Sequence, residues 1–136
     1  MALHGGLLFM LNPETYAKDS EHSNQVALFM WASLPEQQQV YPMLKYMFAI
    51  PNGGKRDKIT ASKLKAEGVK PGVPDIMLPV PNSGYSGLFI EMKKPKGVVS
   101  AVQEPFHGVL RALGYRVRVC YGWAEAKDAI IRYMSL

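Results

Sequence analysis

Apolar and polar residues recur along this chain with two periodicities, one typical of helices and one typical of strands. The first predicted helix runs from Glu21 to about Ser33. Ser20 is a favourable N-cap before it and Pro35 follows its end, which are ordinary helix boundaries. Its middle, Val26 to Ala32, is apolar on nearly all sides, so we expect this helix to be buried against several neighbours.

The next segment combines a predicted strand with a run of basic residues. The pattern from Leu44 to Ile50 predicts a strand that leads into a Pro-Asn-Gly-Gly turn. Thr60 or Ser62 is placed to cap a short helix that ends at Gly68. The cations of this stretch are Lys55, Arg56, Lys58, Lys63, Lys65 and Lys70. They form either a solvated helix face or a positively charged surface beside a functional site, and the sequence leaves both interpretations open.

The second half of the chain predicts a hairpin followed by a helix, a strand and a closing helix. The hairpin strands begin at Ile76 and Gly87. A helix capped by Ser100 follows from Ala101 to about Leu113. The last two predicted elements are a strand from Arg116 to Tyr121 and a helix from Ala124 to Met134. The order α-β-α-β-β-α-β-α predicts an α/β fold with a mixed sheet flanked by helices. We expect a single domain over residues 1–136, with residues 1–18 as an N-terminal tail or edge element.

Composition places the chain among ordinary globular proteins and adds a weak indication of a polyanionic partner. Apolar residues make up 48% and charged residues 20% of the 136 residues, a usual balance for one compact domain. The formal net charge of +5 and a pI near 9.4 favour binding to polyanions such as nucleic acid. Taken alone this indication is weak, because many basic proteins have unrelated functions.

Cysteine, histidine and hydropathy patterns exclude several classes of protein. Cys120 is the single cysteine and lies in an apolar run, so we expect a buried thiol in a reducing compartment. His4, His22 and His107 are scattered, which gives no basis for a zinc site. No segment approaches the ~20 consecutive apolar residues of a membrane span, and the N-terminus lacks the features of a secretion signal. We expect a cytoplasmic protein that is not secreted, with no membrane partner and no small-molecule cofactor.

The candidate chemistry lies in the hairpin. Side chains alternate faces along a strand, so Glu91 and Lys93 point the same way, about 6.6 Å apart. If the turn centres on Ser83, Asp75 pairs with Glu91 and their β-carbons lie about 4.5–5.5 Å apart. Two like charges in that relation repel each other, and a Mg²⁺ or Mn²⁺ ion removes the repulsion because it prefers hard oxygen ligands. A slip of one residue at the flanking prolines would instead place Asp75 on the other face.

Each of these residues has an ordinary structural explanation when it is taken alone. An Asp that follows a Pro at a strand start is commonly a solvated turn residue. A Glu-x-Lys pair on a strand is commonly an exposed charged face or a local ion pair of little energetic consequence. Their combination across a short hairpin between apolar segments is much less common. The sequence therefore favours a metal-dependent site built from Asp75, Glu91 and Lys93.

At these residues the sequence resembles a known family. The motifs Gly72-Val73-Pro74-Asp75, Glu91-Met92-Lys93, Ser100-x-x-Gln103 and Gly114-Tyr115-Arg116-Val117, in this order, resemble the VRR-NUC (virus-type replication-repair nuclease) family of the PD-(D/E)xK superfamily. The resemblance covers most of the chain, from Glu21 to the final helix. It implies the PD-(D/E)xK, or restriction-endonuclease-like, fold.

The resemblance also implies roles for the motif residues. Asp75 and Glu91 would bind the metal together with the backbone carbonyl of Met92. Lys93 would orient or help to deprotonate the attacking water and would stabilise charge that develops on the phosphate. The candidate phosphate contacts are Lys55, Arg56, Lys58, Lys94 and Lys96.

Two further residues have both a functional and a structural interpretation. Glu21 resembles the additional acidic residue that family members bring to the metal, and it equally suits the first turn of a helix. Gln103 resembles the helix glutamine near the catalytic lysine, and it equally completes a capping box with Ser100. His107 falls four residues after Gln103 and would face the same cleft, although a lone histidine there is more often a packing or surface residue.

By the same resemblance, the expected activity is DNA phosphodiester hydrolysis by a Mg²⁺- or Mn²⁺-dependent endonuclease. A stand-alone chain of this size resembles the virus-encoded members, which act in the host cytoplasm as homodimers on branched DNA such as four-way junctions. Their work belongs to replication, repair or recombination. Two alternatives stay open: a non-catalytic nucleic-acid-binding module on the same fold, and a nuclease directed to RNA. A basic protein with a chance motif match is a third.

Overall fold

A four-stranded mixed sheet organises the residues that the computed structural model describes, 12–51 and 57–136. Its strands are β1 (Phe48–Ala49), β2 (Ile76–Leu78), β3 (Leu88–Lys93) and β4 (Arg116–Tyr121), in the spatial order β1-β2-β3-β4. The helices are α1 (Pro13–Tyr16), α2 (Glu21–Ala32), α3 (Pro35–Val40), α4 (Lys58–Ala66), α5 (Gln103–Ala112) and α6 (Trp123–Met134), with a 3₁₀ helix over Pro42–Tyr46. This architecture confirms the predicted α/β class. None of the described helices is long and apolar enough to span a membrane.

Strand β3 lies inside the sheet and separates two apolar layers. It pairs antiparallel with β2 and parallel with β4, and α5 supplies the crossover that a parallel return requires. Leu88, Ile90 and Met92 face the main core formed with α2 and α6. Phe89 faces the opposite side, where it packs with Leu110 of α5. Because all six residues of β3 are buried, any charged side chain on this strand must find its partners inside the protein.

The first turn of α2 is fixed to the start of α6. Ser20 is the N-cap, as predicted, and its hydroxyl accepts the Ser23 N–H at 3.0 Å. Asn24 is buried and donates to the carbonyl groups of Lys18 and Ser20 at 2.6 and 2.9 Å. Its side-chain oxygen accepts the Trp123 N–H at 2.9 Å. The polar contacts of Asn24 therefore fix the first turn of α2, which carries Glu21, against the start of α6.

The predicted strand from Leu44 to Ile50 is mostly wrong. Only Phe48–Ala49 is strand, and the preceding residues form the 3₁₀ helix. Pro42 occupies the start of that helix, where its fixed φ is favourable. The N–H groups of Leu44 and Met47 bond to carbonyl groups three residues earlier, so they are not available to a neighbouring strand.

Three helix boundaries also differ from the predicted ones. α4 is capped by Asp57 rather than by Thr60 or Ser62, because the Asp57 carboxylate accepts the Thr60 N–H at 2.8 Å and its hydroxyl at 2.9 Å. Pro35 begins α3, which the sequence did not predict. α5 begins at Gln103 rather than at residue 101. Helices as short as α1 and α3 show too few turns for a periodic pattern.

The predictions for the N-terminal tail and for Cys120 are confirmed only in part. Residues 1–11 of the predicted N-terminal tail, His4 among them, lie outside the described residues, as do residues 52–56 of the predicted turn and basic run. Within the same predicted tail, Pro13–Tyr16 is helical. Cys120 is buried, as predicted, and burial raises the pKa of its thiol to about 12. It is therefore an inert part of the core.

Candidate active site

The register of the β2–β3 hairpin decides whether the two acidic residues meet. Ile76 pairs with Ile90 and Leu78 with Leu88. One position earlier on β2, the same register places Asp75 opposite Glu91. This is the register predicted from the sequence.

The turn reaches that register by a different route from the predicted one. Its two central residues are Ser83 and Gly84, with φ of 49° and 87°, and they are enclosed by the pair Asn82–Tyr85. Three residues separate Leu78 from Asn82 on the first strand side, whereas only two separate Tyr85 from Leu88 on the return side. The extra residue lies in the Pro-Val-Pro segment, where proline removes backbone donors. The bulge offsets the displaced turn centre, so the pairing of the acidic residues is unchanged.

Asp75 is held against the backbone of β3. Its Oδ2 atom accepts the Met92 N–H at 2.7 Å, and its carbonyl accepts the Ile50 N–H at 2.7 Å. The approach to this position requires Gly72, which has φ of 90° and whose added β-carbon would lie 2.6 Å from the Val102 carbonyl oxygen. The Gly-Val-Pro-Asp motif is thus the segment that brings Asp75 beside Glu91 while passing close to the start of α5.

Glu91 is a buried carboxylate with cationic and imidazole neighbours. It is 1% exposed, and its Oε2 atom lies 3.8 Å from Lys93 Nζ. Its Oε1 atom lies 3.5 Å from Nε2 of His107, which is 2% exposed. Within the described residues, neither of these two facing atoms has a hydrogen-bond partner. A buried polar atom left in this way is costly unless a ligand or a shift of structure satisfies it.

The electrostatics of the site favour a bound cation. The pKa of Glu91 is raised to about 9, chiefly by burial and then by the adjacent Asp75 carboxyl through a hydrogen bond and like charge. Lys93 lowers the pKa of Glu91 in part, and Glu21 raises it. Burial is also the main cause that lowers the pKa of His107, so its imidazole is neutral near pH 7. If Asp75 and Glu91 are both ionised, Lys93 neutralises only one of the two charges, and a bound cation would offset the other.

Exposed cations follow directly after the site. Lys93, at 9% exposure, ends β3 and is followed by a turn that exposes Lys94 and Lys96. Gly97 closes this turn by donating its N–H to the Lys94 carbonyl at 2.9 Å. Lys58 is exposed at the start of α4. The two other candidate phosphate contacts, Lys55 and Arg56, lie outside the described residues.

Comparison with known proteins identifies the family. The sequence matches the VRR-NUC domain over residues 19–124, a span that includes the whole Asp75–Glu91–Lys93 set. The chain belongs to the VRR-NUC family. One solved structure, described as a "VRR_NUC domain protein", is similar with a TM-score of 0.71 and 25% identity, covering 88% of this chain and 92% of that chain. Comparison with curated proteins gives no match.

VRR-NUC domains are nucleases, so family membership makes nucleic acid the substrate class. In this VRR-NUC chain, the structure brings Asp75, Glu91 and Lys93 together. It leaves Glu21 exposed on the first turn of α2, close enough to raise the pKa of Glu91. No three His, Cys, Asp or Glu side chains in residues 12–51 and 57–136 lie close enough together to hold a metal ion. Glu21 therefore does not join the two carboxylates as a third close donor.

Gln103 occupies the capping box that the sequence allowed. Its side-chain oxygen accepts the Ser100 N–H at 2.9 Å, and its own N–H donates to the Ser100 hydroxyl at 3.2 Å. Because α5 begins at Gln103, Pro105 falls in the first turn of the helix, where a missing N–H costs little. This explains a proline that the sequence alone left unexplained.

His107 is the residue whose role the sequence left open between the cleft and a packing or surface position. It lies one helical turn after Gln103, on the buried face of α5 with Leu110. The spacing of four residues from Gln103 was the available signal, but it does not say which face of the helix meets the sheet. The crossover geometry of the VRR-NUC fold supplies that information.

The donor set of this VRR-NUC site fits a hard divalent cation. Asp75 and Glu91 offer adjacent carboxylate oxygens, and burial together with the proximity of Asp75 raises the pKa of Glu91. Mg²⁺ and Mn²⁺ prefer such ligands and commonly keep several waters. The described residues around the pair include no thiolate that would favour a softer metal, since Cys120 belongs to the main core.

Proposed function

We propose that this VRR-NUC chain is a Mg²⁺- or Mn²⁺-dependent endonuclease that hydrolyses DNA phosphodiester bonds. The observation that carries the proposal is the buried Glu91 carboxylate, which lies beside Asp75 and within 3.8 Å of the Lys93 ammonium. Such a cluster is unfavourable for folding alone. It is the arrangement expected where a cation and a phosphate are to be bound.

Each residue then has a defined part. Asp75 and Glu91 would hold the cation through their carboxylate oxygens, with the backbone carbonyl of Met92 as a further ligand. The bound cation would lower the pKa of a water and offset charge on the phosphate. Lys93 would orient that water and stabilise the developing negative charge. Glu21 adds negative charge from the first turn of α2.

Motif resemblance extends the proposal to the biological setting. We place the chain with the virus-encoded members, with residues 1–136 as one domain that acts in the cytoplasm as a homodimer on branched DNA. Two symmetric sites would allow two strands to be cut. The exposed Lys94, Lys96 and Lys58, with Lys55 and Arg56, would contact backbone phosphates rather than bases. Gln103, near the start of α5, would border the cut strand.

A cleavage assay tests the proposal. Labelled four-way-junction, flap, duplex and single-stranded DNA, together with single-stranded RNA, are incubated with Mg²⁺ or Mn²⁺ and with EDTA. We expect DNA cutting that EDTA and Lys93→Ala abolish and that Lys45→Ala preserves. Lys45 is a matched control because it is an exposed lysine on the 3₁₀ helix.

Each contrary result identifies an alternative. Cutting of RNA but not of DNA would replace the proposal by the RNA-directed nuclease. DNA binding without cutting in either metal would leave the non-catalytic binding module. Cutting that persists in Lys93→Ala would remove Lys93 from the mechanism.

A further inference from the structure

A second concentration of positive charge lies on the face of the sheet opposite to Glu91. Side chains alternate along β4, so Arg116 and Arg118 share one face. Their partners in β3 are Leu88 and Ile90, which belong to the main core. Glu91 lies on the other face of β3. β4 is an edge strand of the sheet, so its outer part is free to carry charged residues next to that core.

Arg132 of α6 joins these two arginines around a concave pocket of about 250 Å³, here called the arginine pocket. The other residues that line it are Tyr85, Leu88, Ala129, Tyr133 and Leu136. The Arg116 guanidinium carbon lies 5.7 Å from the centre of the Tyr85 ring, a cation–π contact that restrains its direction. The pocket thus combines three arginines with aromatic and apolar side chains in one concave lining.

The charge of the arginine pocket is not neutralised within the described residues. Three of the five arginines in the sequence line it. The ion pairs in residues 12–51 and 57–136 all involve Glu91, so no described carboxylate lies within 4.0 Å of these arginines. Arg111, by contrast, donates to the Val117 carbonyl at 3.0 Å and is used inside the fold. Arg116 and Arg118 are half-buried and Arg132 is exposed at the rim; three neighbouring guanidinium groups repel one another, and an oxyanion between them removes that repulsion.

The chemistry of the pocket fits a phosphate group. The planar guanidinium fork matches phosphate oxygens in bidentate geometry, which a lysine ammonium does not. The pocket extends along β4 to Arg118, whose partner in β3 is Ile90, the residue before Glu91. It lies on the opposite face of the sheet, so the sheet itself separates it from Glu91. A phosphate bound there is therefore not the one beside Glu91 and belongs to a different stretch of the ligand.

We propose that the arginine pocket binds a backbone phosphate of a second nucleic-acid segment, such as another arm of a branched substrate. The inference rests on the proposed nuclease function and names the feature that would make this chain prefer branched over linear DNA. A linear duplex on the Glu91 face fills one site, whereas a branched molecule is able to fill both.

The test compares two triple variants that lose the same charge. One carries Arg116→Gln, Arg118→Gln and Arg132→Gln; the control carries Lys45→Gln, Lys70→Gln and Lys127→Gln. Binding of labelled four-way-junction and linear duplex DNA is measured by fluorescence anisotropy in Ca²⁺ over a salt series. For the junction, we expect the arginine variant to reduce the slope of log K against log salt by about one to two. Its junction affinity should fall about tenfold or more, and further than its duplex affinity.

Contrary outcomes separate this inference from the proposed function. A parent protein that cuts DNA, with equal junction slopes in the parent and both variants, overturns the inference alone. A parent that neither binds nor cuts DNA overturns both. Thermal stabilisation of the parent by inorganic phosphate, lost in the arginine variant while the DNA slopes stay equal, would assign the pocket to free phosphate instead. If circular dichroism shows that the triple variant is unfolded, Arg118→Gln alone should still reduce the junction slope.

Discussion

Replacing His107 with leucine should weaken metal binding much more than it weakens folding. The imidazole Nε2 atom lies 3.5 Å from Glu91 Oε1, and neither atom has a hydrogen-bond partner in the described part of the chain. This distance is at the long end of the range for hydrogen bonding. Contacts of this kind commonly shorten when the ligand is bound. We therefore expect a full hydrogen bond from His107 once Glu91 is ionised.

The magnitude follows from the protonation states of the pair. Without a cation Glu91 retains its proton near pH 7, because its pKa is raised to about 9. The loss of His107 then changes the free energy of folding only a little. A bound cation ionises Glu91, and a hydrogen bond to a charged group contributes about 1.5–3 kcal/mol. Loss of that bond corresponds to about 10- to 150-fold weaker metal binding. This is the range found when the outer hydrogen-bond partner of a metal ligand is removed, about 10- to 100-fold.

Isothermal titration calorimetry with Mn²⁺ measures the effect directly. His107→Gln is the informative companion, because its side-chain amide restores a donor to the position facing Glu91. Leu110→Met is the packing control, since Leu110 is buried on the same face of α5 but packs with Phe89. We expect weak binding for His107→Leu, near-parent binding for His107→Gln and parent binding for Leu110→Met. Thermal unfolding in EDTA checks that all three variants fold.

Two results would refute this reasoning. A folded His107→Leu protein that binds Mn²⁺ as tightly as the parent does would show that the contact with Glu91 contributes nothing to the bound state. Equal losses in His107→Leu and His107→Gln would assign the effect to packing of the imidazole rather than to its donor.

Stability measurements test three other features. The pKa of Glu91 is raised from 4.5 to about 9, so the folded state holds this proton more tightly than the unfolded state. The free energy of unfolding in EDTA should therefore fall as pH rises from about 5 to about 9, and Glu91→Gln should flatten the dependence in thermal unfolding; a slope that survives would contradict the assignment. Gly72 and Gly84 both have positive φ, but only an added β-carbon at Gly72 meets a backbone atom, at 2.6 Å. Urea unfolding should show a loss of about 1–2 kcal/mol for Gly84→Ala and a clearly larger loss for Gly72→Ala; equal losses would exclude the clash. Asn24→Ala leaves the Trp123 N–H without its acceptor and should lower the free energy of unfolding by about 1–3 kcal/mol, whereas Asn24→Asp, which keeps that acceptor, should lose less.

The hairpin shows what hydrophobic patterning is able to predict without the structure. Ile76, Leu78, Leu88 and Ile90 must all face the main core, and a shift by one residue would turn one strand's set to the other face. That constraint fixes the pairing even though the turn centre was misplaced. The bulge before Asn82 was not predictable in position, because it depends on which backbone groups the two flanking prolines leave unpaired.

The neighbours of Glu91 could be predicted only in part from the hydrophobic pattern. Alternation along β3 placed Glu91 and Lys93 on one face, and the structure agrees. Which helix covers that face depends on the crossover between β3 and β4, which no local periodicity encodes. His107 was therefore visible in the sequence only as a residue four positions after Gln103. The Asp57 cap of α4 was missed for a simpler reason, since Asp57, Thr60 and Ser62 are all suitable cap residues.

The composition of the Glu91 face argues against the non-catalytic alternative. Phe89 precedes Glu91 on that face and packs with Leu110, so apolar residues at positions 91 and 93 would extend an existing cluster. Burying a carboxylate and an ammonium there instead costs desolvation that their mutual attraction seldom recovers. A module that only binds nucleic acid needs exposed cations, and Lys94 already provides one beyond the end of the strand. The proposed function would give the buried Glu91 and Lys93 a physical reason, because a cation and a reacting phosphate would then occupy the space beside them.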